Sequence, residues 1–169
     1  KRERGGTTTQ DVEVKSKGIR TGMKLDRTQT VWCSSAKYDS KSRMTEHDPR
    51  RNRVIISNPL GEDTSIMRTT ALPSMLEILS RNINFSNEDV RLFEMASVYI
   101  PSEDINLLPT AKKVISIGLF GADEYFYTLK GVIENILVSA HIKPTYASYS
   151  CDNASHPGKC AKLFTQTGF

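Results

Sequence analysis

Residues 90–100 run Val90-Arg91-Leu92-Phe93-Glu94-Met95-Ala96-Ser97-Val98-Tyr99-Ile100, and their period decides the fold. Alternation places Val90, Leu92, Glu94, Ala96, Val98 and Ile100 on one side, and Arg91, Phe93, Met95, Ser97 and Tyr99 on the other. Both sides are mostly apolar, so the pattern predicts a long central strand covered on both faces. Glu94 is the exception within it. A buried carboxylate is costly unless paired, so Glu94 is expected to meet a basic side chain or a backbone N–H. Structural pairing is the favoured reading of it over catalysis.

Working outward, Pro101 to Pro109 reads as a loop and Lys113 to Gly121 as a second strand. Upstream, Pro73 suits the first turn of a helix, where a missing N–H costs nothing. Met75, Leu76, Leu79 and Ile83 follow at helical spacing, and the helix should end near Asn82 to Asn84. Downstream, Leu129, Val132, Ile133, Ile136, Leu137 and Ala140 step by three and four, which predicts a helix over 126–141. Thr145 to Ser150 and Ala161 to Thr165 are candidate strands around a loop with His156-Pro157-Gly158. Arg53 to Ser57 reads as a short buried strand from its β-branched run. Gln29 to Cys33 reads as another strand, and Thr8 to Met23 as a weak helix interrupted by Gly18. Strands joined directly by short loops argue against parallel βαβ alternation. The expected fold class is α+β: a mostly antiparallel sheet flanked by helices. Residues 1–6 are expected to be a frayed arm and 7–169 a single module, with 34–53 a long loop.

The composition is that of an ordinary globular chain, with 38% hydrophobic and 25% charged residues among 169. No apolar run has the length of a membrane helix, and Lys1 to Gln10 does not read as a signal peptide. The net charge of +4 is uneven. Residues 1–53 hold 14 basic and 7 acidic residues, whereas the remainder holds 9 and 12. A basic front segment can face RNA or an acidic partner, although solvated basic stripes are common. Cys33, Cys151 and Cys160 are too few, and odd in number, for a disulfide framework, so a reducing cytosol is the expected setting.

Catalytic signatures are weak. Phosphate-loop, nucleophile-elbow and zinc-protease motifs are all absent. Cys151, His156 and Cys160 lack the close pairs that structural zinc favours. A Cys–His nucleophile pair cannot be placed from one sequence. Asp104, Asp123, Glu124 and Asp152 read as solvated loop acids.

Four stretches together resemble a known family. Asn58-Pro59-Leu60-Gly61, then Met67-Arg68-Thr69-Thr70, then Leu72-Pro73-Ser74-Met75-Leu76 is similar to the N-P-L…M-R-T-s-L-L-P run of the bacterial phenylalanyl-tRNA synthetase beta subunit. Val90 to Met95 with Val98-Tyr99 resembles its v-r-L-F-E-i-G-x-V-F strand. Leu129-Lys130-Gly131-Val132-Ile133-Glu134 is similar to its d-l-K-G-v-v-E helix start. His156-Pro157-Gly158-Lys159-Cys160-Ala161 resembles its H-P-G-R-s-A turn. The motifs cover residues 54–161; before residue 54 the likeness thins, and Ala96 and Lys159 depart mildly from it.

The resemblance implies a class II aminoacyl-tRNA synthetase-like fold in a non-catalytic module that supports a catalytic alpha subunit. It implies ATP and magnesium as cofactors of the whole enzyme but none in this module. The implied partners are the alpha subunit, a second beta subunit in a heterotetramer, and tRNA, with a cytoplasmic location and no membrane. No catalytic, cofactor or metal residue is expected. Asn58, Pro59, Met67, Arg68, Pro73, Glu94, Lys130, Gly131, His156, Pro157 and Gly158 are the structural or interface candidates. In class II synthetases an arginine lies two residues before an acid in the second motif. If Glu94 is that acid, the position is Leu92, and Arg91 falls on the opposite face. Without guanidinium groups on the triphosphate, adenylate formation is not expected. Two rival expectations are an RNA-binding module acting through residues 1–53 and a stand-alone acyl-adenylate-forming relative.

Overall fold

Alternating β-branched and aromatic side chains give the chain its two longest strands, and these organise the rest. The computed structural model describes residues 10–12, 25–28, 33–34, 44–104, 107–124, 126–149, 155–156 and 158–165. In chain order the elements are β1 (Gln10–Val12), β2 (Leu25–Arg27), β3 (Cys33–Ser34), β4 (Ile66–Met67), α1 (Leu72–Asn84), β5 (Val90–Ile100), β6 (Thr110–Phe120), α2 (Phe126–Ser139), β7 (Pro144–Ser148) and β8 (Ala161–Thr165). Short 3-10 turns lie at Pro49–Arg51 and Glu62–Thr64.

β5 and β6 pair antiparallel along their full length, from Val90 opposite Phe120 to Ile100 opposite Thr110. The main sheet has the order β1-β2-β5-β6, and β2 runs parallel to β5. β3 with β4 and β7 with β8 form two further antiparallel pairs. The class is therefore α+β and mostly antiparallel, as expected; among the described strands only the short β2–β5 pair is parallel, which makes the main sheet mixed.

α1 begins as its proline predicts and ends at Asn84, with Phe85 as its C-cap. Asn82 helps close that end: it donates to the Ile78 carbonyl at 2.9 Å and accepts from Asn87 at 2.8 Å. The end carbonyls that the helix would leave unpaired are met by the backbone: Phe85 N–H reaches Arg81 and Asn82, and Ser86 N–H reaches Ile83. The core gathers where α1 lies on the sheet. Met75, Val90 and Leu92 are buried, with Ile78, Leu79 and Phe120 packed against them. Burying a side chain the size of Met75 contributes roughly 1.5–3 kcal/mol. Gly118, opposite Leu92, permits the close approach: a Cβ there would lie 2.8 Å from Leu79 Cδ1 and 2.9 Å from Met75 Cγ.

Several expectations are corrected. β5 is not covered on both faces: Val90, Leu92, Glu94, Ala96 and Val98 are buried, whereas Met95 is 61% exposed and its cross-strand partner Ile115 55%. Residues 53–57 are not a buried strand. They form one bridge, Ile55 opposite Ile66, and Ile55 is 76% exposed. A β-branched run signals an extended backbone, not what covers it. Gln10–Val12 is a strand where a helix was expected, because its ladder with β2 satisfies the backbone there. Of the strand expected over 29–33 only Cys33 is described, and it lies in β3; 29–32 lie outside the described residues. The arm at 1–6 and most of the basic first segment lie outside the described residues. Of the expected loop 34–53, Ser34 is in β3, and 44–53 hold a turn and the 3-10 turn that Asp48 caps. Cys160 is disulfide-bonded, against the expectation of free thiols. An odd cysteine count excludes a complete framework but not a single bridge. No helix among the described residues is long and apolar enough to cross a membrane.

Candidate functional site

Where β4 leads into α1, the backbone runs beside β5. Tyr99 N–H donates to the Arg68 carbonyl at 2.8 Å. The Arg68 side chain then returns along β5. Its Nε donates to the Ser97 carbonyl at 3.0 Å, and its Nη2 meets Glu94 Oε1 at 3.1 Å. Glu94 is 1% exposed and Arg68 4%. The basic partner expected for Glu94 is thus Arg68, delivered from 26 residues upstream. Neither charge can be removed alone without stranding the other in a water-free interior.

Beside this pair lies a cleft of about 260 Å³, part of it open to solvent. Ser34, Arg53, Arg68, Thr69, Thr70, Pro73 and Ser74 line it. Neighbouring contacts fix its rim: Thr69 Oγ1 donates to the Arg50 carbonyl at 2.5 Å, and Arg53 Nε donates to the same carbonyl at 3.2 Å. Arg50 is itself held by Asp48, at 2.5 Å from Nη2 to Oδ2. The hydrogen bond and positive charge of Arg50 hold the Asp48 carboxyl down at about 2, against an ordinary 3.8. The room inside it for a water-sized group is only about 10 Å³, so the cleft does not enclose a nucleotide.

On the opposite face of β5, Arg91 Nε pairs with Glu124 Oε1. Glu124 was expected to be a solvated loop acid, but its side chain is only 1% exposed. It follows β6 in a turn whose Gly121 approaches both Asp89 and Glu124. The residue two before Glu94, Leu92, packs in the apolar core.

Met67, Arg68, Pro73 and Glu94 therefore converge on one region. The other motif residues lie elsewhere. Asn58 and Pro59 sit on an exposed turn with Leu60. Lys130 and Gly131 lie in the first half of α2, where Lys130 meets Glu134 at 3.5 Å and the ring of Tyr146 at 4.8 Å. His156 and Gly158 belong to the β7–β8 connection; the His156 carbonyl accepts from Lys159 N–H at 3.1 Å, and Gly158 has φ 83°, which suits glycine. Pro157 is outside the described residues. Arg53, Ser74 and Glu124 were missed as site residues. A basic residue at the start of the β-branched run and a serine in the first helical turn were the available signals for two of them; Glu124 had none. Among the described residues no three His, Cys, Asp or Glu side chains are grouped to hold a metal.

The family resemblance of the sequence agrees with comparison to known proteins. The family model for the phenylalanyl tRNA synthetase beta chain CLM domain matches residues 2–168. The phenylalanine–tRNA ligase beta subunit of Clostridium tetani is 42% identical over 166 residues, 98% of this chain and 21% of that protein. That of Clostridium acetobutylicum is 46% identical over 130 residues, 76% of this chain and 16% of that protein. That of Syntrophotalea carbinolica is 40% identical over 132 residues, 71% of this chain and 16% of that protein. The chain spans about a fifth of the length of the first of these relatives, and less of the other two. On the match to residues 2–168 and these identities, the chain belongs to the family of phenylalanyl tRNA synthetase beta chain CLM domains.

Proposed function

We propose that this chain is a non-catalytic module of a phenylalanine–tRNA ligase beta subunit, with a class II synthetase-like sheet, that supports a catalytic alpha subunit in charging tRNA with phenylalanine. The observation that carries the reading is the fate of the arginines around Glu94. Leu92 occupies the place where a class II sheet would present a phosphate-binding guanidinium, and it is buried in the core. Arg91 is turned to the other face and held by Glu124. Arg68 is engaged by Glu94 and the Ser97 carbonyl. Charge stabilisation of phosphoryl or adenylyl transfer needs cations aimed at the reacting phosphates; here the nearest ones are committed to holding the fold. ATP and magnesium then belong to the whole enzyme, with no cofactor in this module.

The module acts as a scaffold. Arg68, Glu94, Met67 and Pro73 fix the junction of β4, α1 and β5. The apolar sides of α1 and α2 offer contact area, since Leu76 and Ile83 are exposed on α1, and Phe126, Tyr127 and Val138 on α2. Lasting subunit interfaces are large and apolar at their centre, and these faces suit such a role toward the alpha subunit and a second beta subunit. Asn58, Pro59, Lys130, Gly131, His156 and Gly158 shape exposed turns and the α2–hairpin contact around that scaffold. The setting is the cytoplasm, where the tRNA is. The test is co-purification of the alpha subunit with the full-length beta chain. Leu76→Glu with Ile83→Glu should reduce the recovered alpha subunit at least tenfold. Unchanged recovery, with the beta chain folded, would contradict the interface assignment.

A further inference from the structure

We propose that the cleft at the leading end of α1 is a carboxylate-binding site, with the hydroxyls of Ser34 and Ser74 as its donors. Ser34, Thr69, Thr70 and Ser74 bring hydroxyl side chains to its lining. The two threonines are occupied: Thr69 Oγ1 donates to the Arg50 carbonyl, and Thr70 Oγ1 accepts from Leu72 N–H at 3.3 Å. The two serines are not. Each is only 8% exposed, and neither side chain makes a hydrogen bond among the described residues. Withdrawing a hydroxyl from bulk water without a partner is unfavourable, so two of them at one small opening mark a place for an acceptor.

The surroundings set the charge of that acceptor. Ser34 comes from β3, where it lies opposite Ile66, and Ser74 from the first turn of α1. That turn is open. Ala71, its N-cap, contributes no side-chain hydrogen bond, and Pro73 has no N–H. The first bond of the helix runs from Met75 N–H to the Ala71 carbonyl at 3.1 Å. Ser74 N–H is thus left for a ligand, at the end of a helix whose dipole favours negative charge. The guanidinium-bearing Arg53 and Arg68 share the same wall, and among the described residues no Asp or Glu lines it. A water would meet only the hydroxyls, whereas an oxyanion meets the hydroxyls, the N–H and the positive potential together.

Room and charge then select the oxyanion. The interior, with about 10 Å³ of space, admits one oxygen-sized group, and the rest of a ligand must lie in the open mouth. Arg68 is already balanced by Glu94. A flat carboxylate has a single charge and two acceptor oxygens, one for the interior and one for the mouth. A tetrahedral phosphate is bulkier and more highly charged. The carboxylate can come from a small acid or from an acidic side chain of another polypeptide. The inference does not rest on the subunit-scaffold reading, which uses neither serine.

The test is an amide nitrogen–proton correlation spectrum of this chain. It is titrated with acetate, with a blocked tripeptide carrying a central glutamate, and with inorganic phosphate, ionic strength being held with sodium chloride. Both carboxylates should shift the amide of residue 74 along a saturable curve. Ser34→Ala and Ser74→Ala each remove a hydrogen bond to a charged group and should weaken binding roughly tenfold. Arg53→Gln should weaken it about threefold. Because neither hydroxyl serves the fold, both alanine variants should keep the parent's spectrum away from the cleft, and its urea midpoint; if one variant unfolds, the other decides. Tighter binding of the peptide than of acetate assigns the site to a polypeptide side chain, and equal or weaker binding assigns it to small acids. The proposal is overturned by absence of a saturable shift, by phosphate that binds as tightly as the better carboxylate, or by folded alanine variants that bind undiminished.

Discussion

Two arginine–glutamate pairs lie on opposite faces of β5, and they obey different rules. Arg68 and Glu94 have side chains 4% and 2% exposed, so both charges are withdrawn from water. Glu124 is equally hidden at 1%, but its partner Arg91 is 38% exposed and keeps much of its hydration. The first pair joins β5 to a residue 26 positions upstream, just before α1; the second joins the start of β5 to a residue 33 positions downstream, in the turn before α2. Desolvating two ions is expensive, and their attraction offsets that cost only while both remain. The same salt-bridge chemistry is therefore obligatory at one site and moderate at the other.

The sharpest break in this comparison is Glu94→Ala or Arg68→Ala, each leaving one charge without its buried partner. Either should cost about 3–5 kcal/mol in urea unfolding, whereas replacing both together by Leu and Met should restore most of that loss. A double variant as unstable as the singles would mean that packing, not charge, dominates there. Arg91→Ala should cost less, about 1–2 kcal/mol by the same measurement, because a charged hydrogen bond is lost where water can partly replace it.

The smallest effect belongs to a third pair, Asp48 with Arg50, at the edge of the cleft. Its folded carboxyl titrates near 2, below the ordinary 3.8. A depressed value means that the ionised form is favoured by folding. The contribution is therefore complete above about pH 4 and is lost as pH falls toward 2. Arg50 is one-third exposed, and solvent screening should hold the contribution to about 1 kcal/mol or less. Asp48→Asn should lower stability at neutral pH by about that amount and remove that part of the acid dependence between pH 4 and 2, so that variant and parent converge near pH 2. An acid profile that is unchanged by the substitution would contradict the assignment.

The contrast between the pairs also marks where sequence reading stops. Glu94 interrupts a strict alternation, so its burial and its need for a basic partner could be foreseen; that the partner is Arg68 could not, because pattern carries no long-range contact. Glu124 follows a turn with no period to interrupt, and nothing local distinguishes it from a solvated acid. The spans of α1, β5, β6, α2, β7 and β8 were legible because each has a sustained period or a clear helix start. β2 is three residues long, too short for a period, and its pairing with β5 is a tertiary choice. The apolar look of β5's second face predicted a cover, yet Met95 and Ile115 stand open. Apolar character specifies what a face favours, not which chain supplies it.

The central claim is that the guanidinium groups near Glu94 serve the fold and leave none to grip a triphosphate. The direct test is ATP–pyrophosphate exchange by this chain with phenylalanine and magnesium at saturating ATP. The account predicts no exchange above the enzyme-free rate. Exchange that depends on phenylalanine and disappears on Arg68→Lys, in a variant that remains folded, would contradict it.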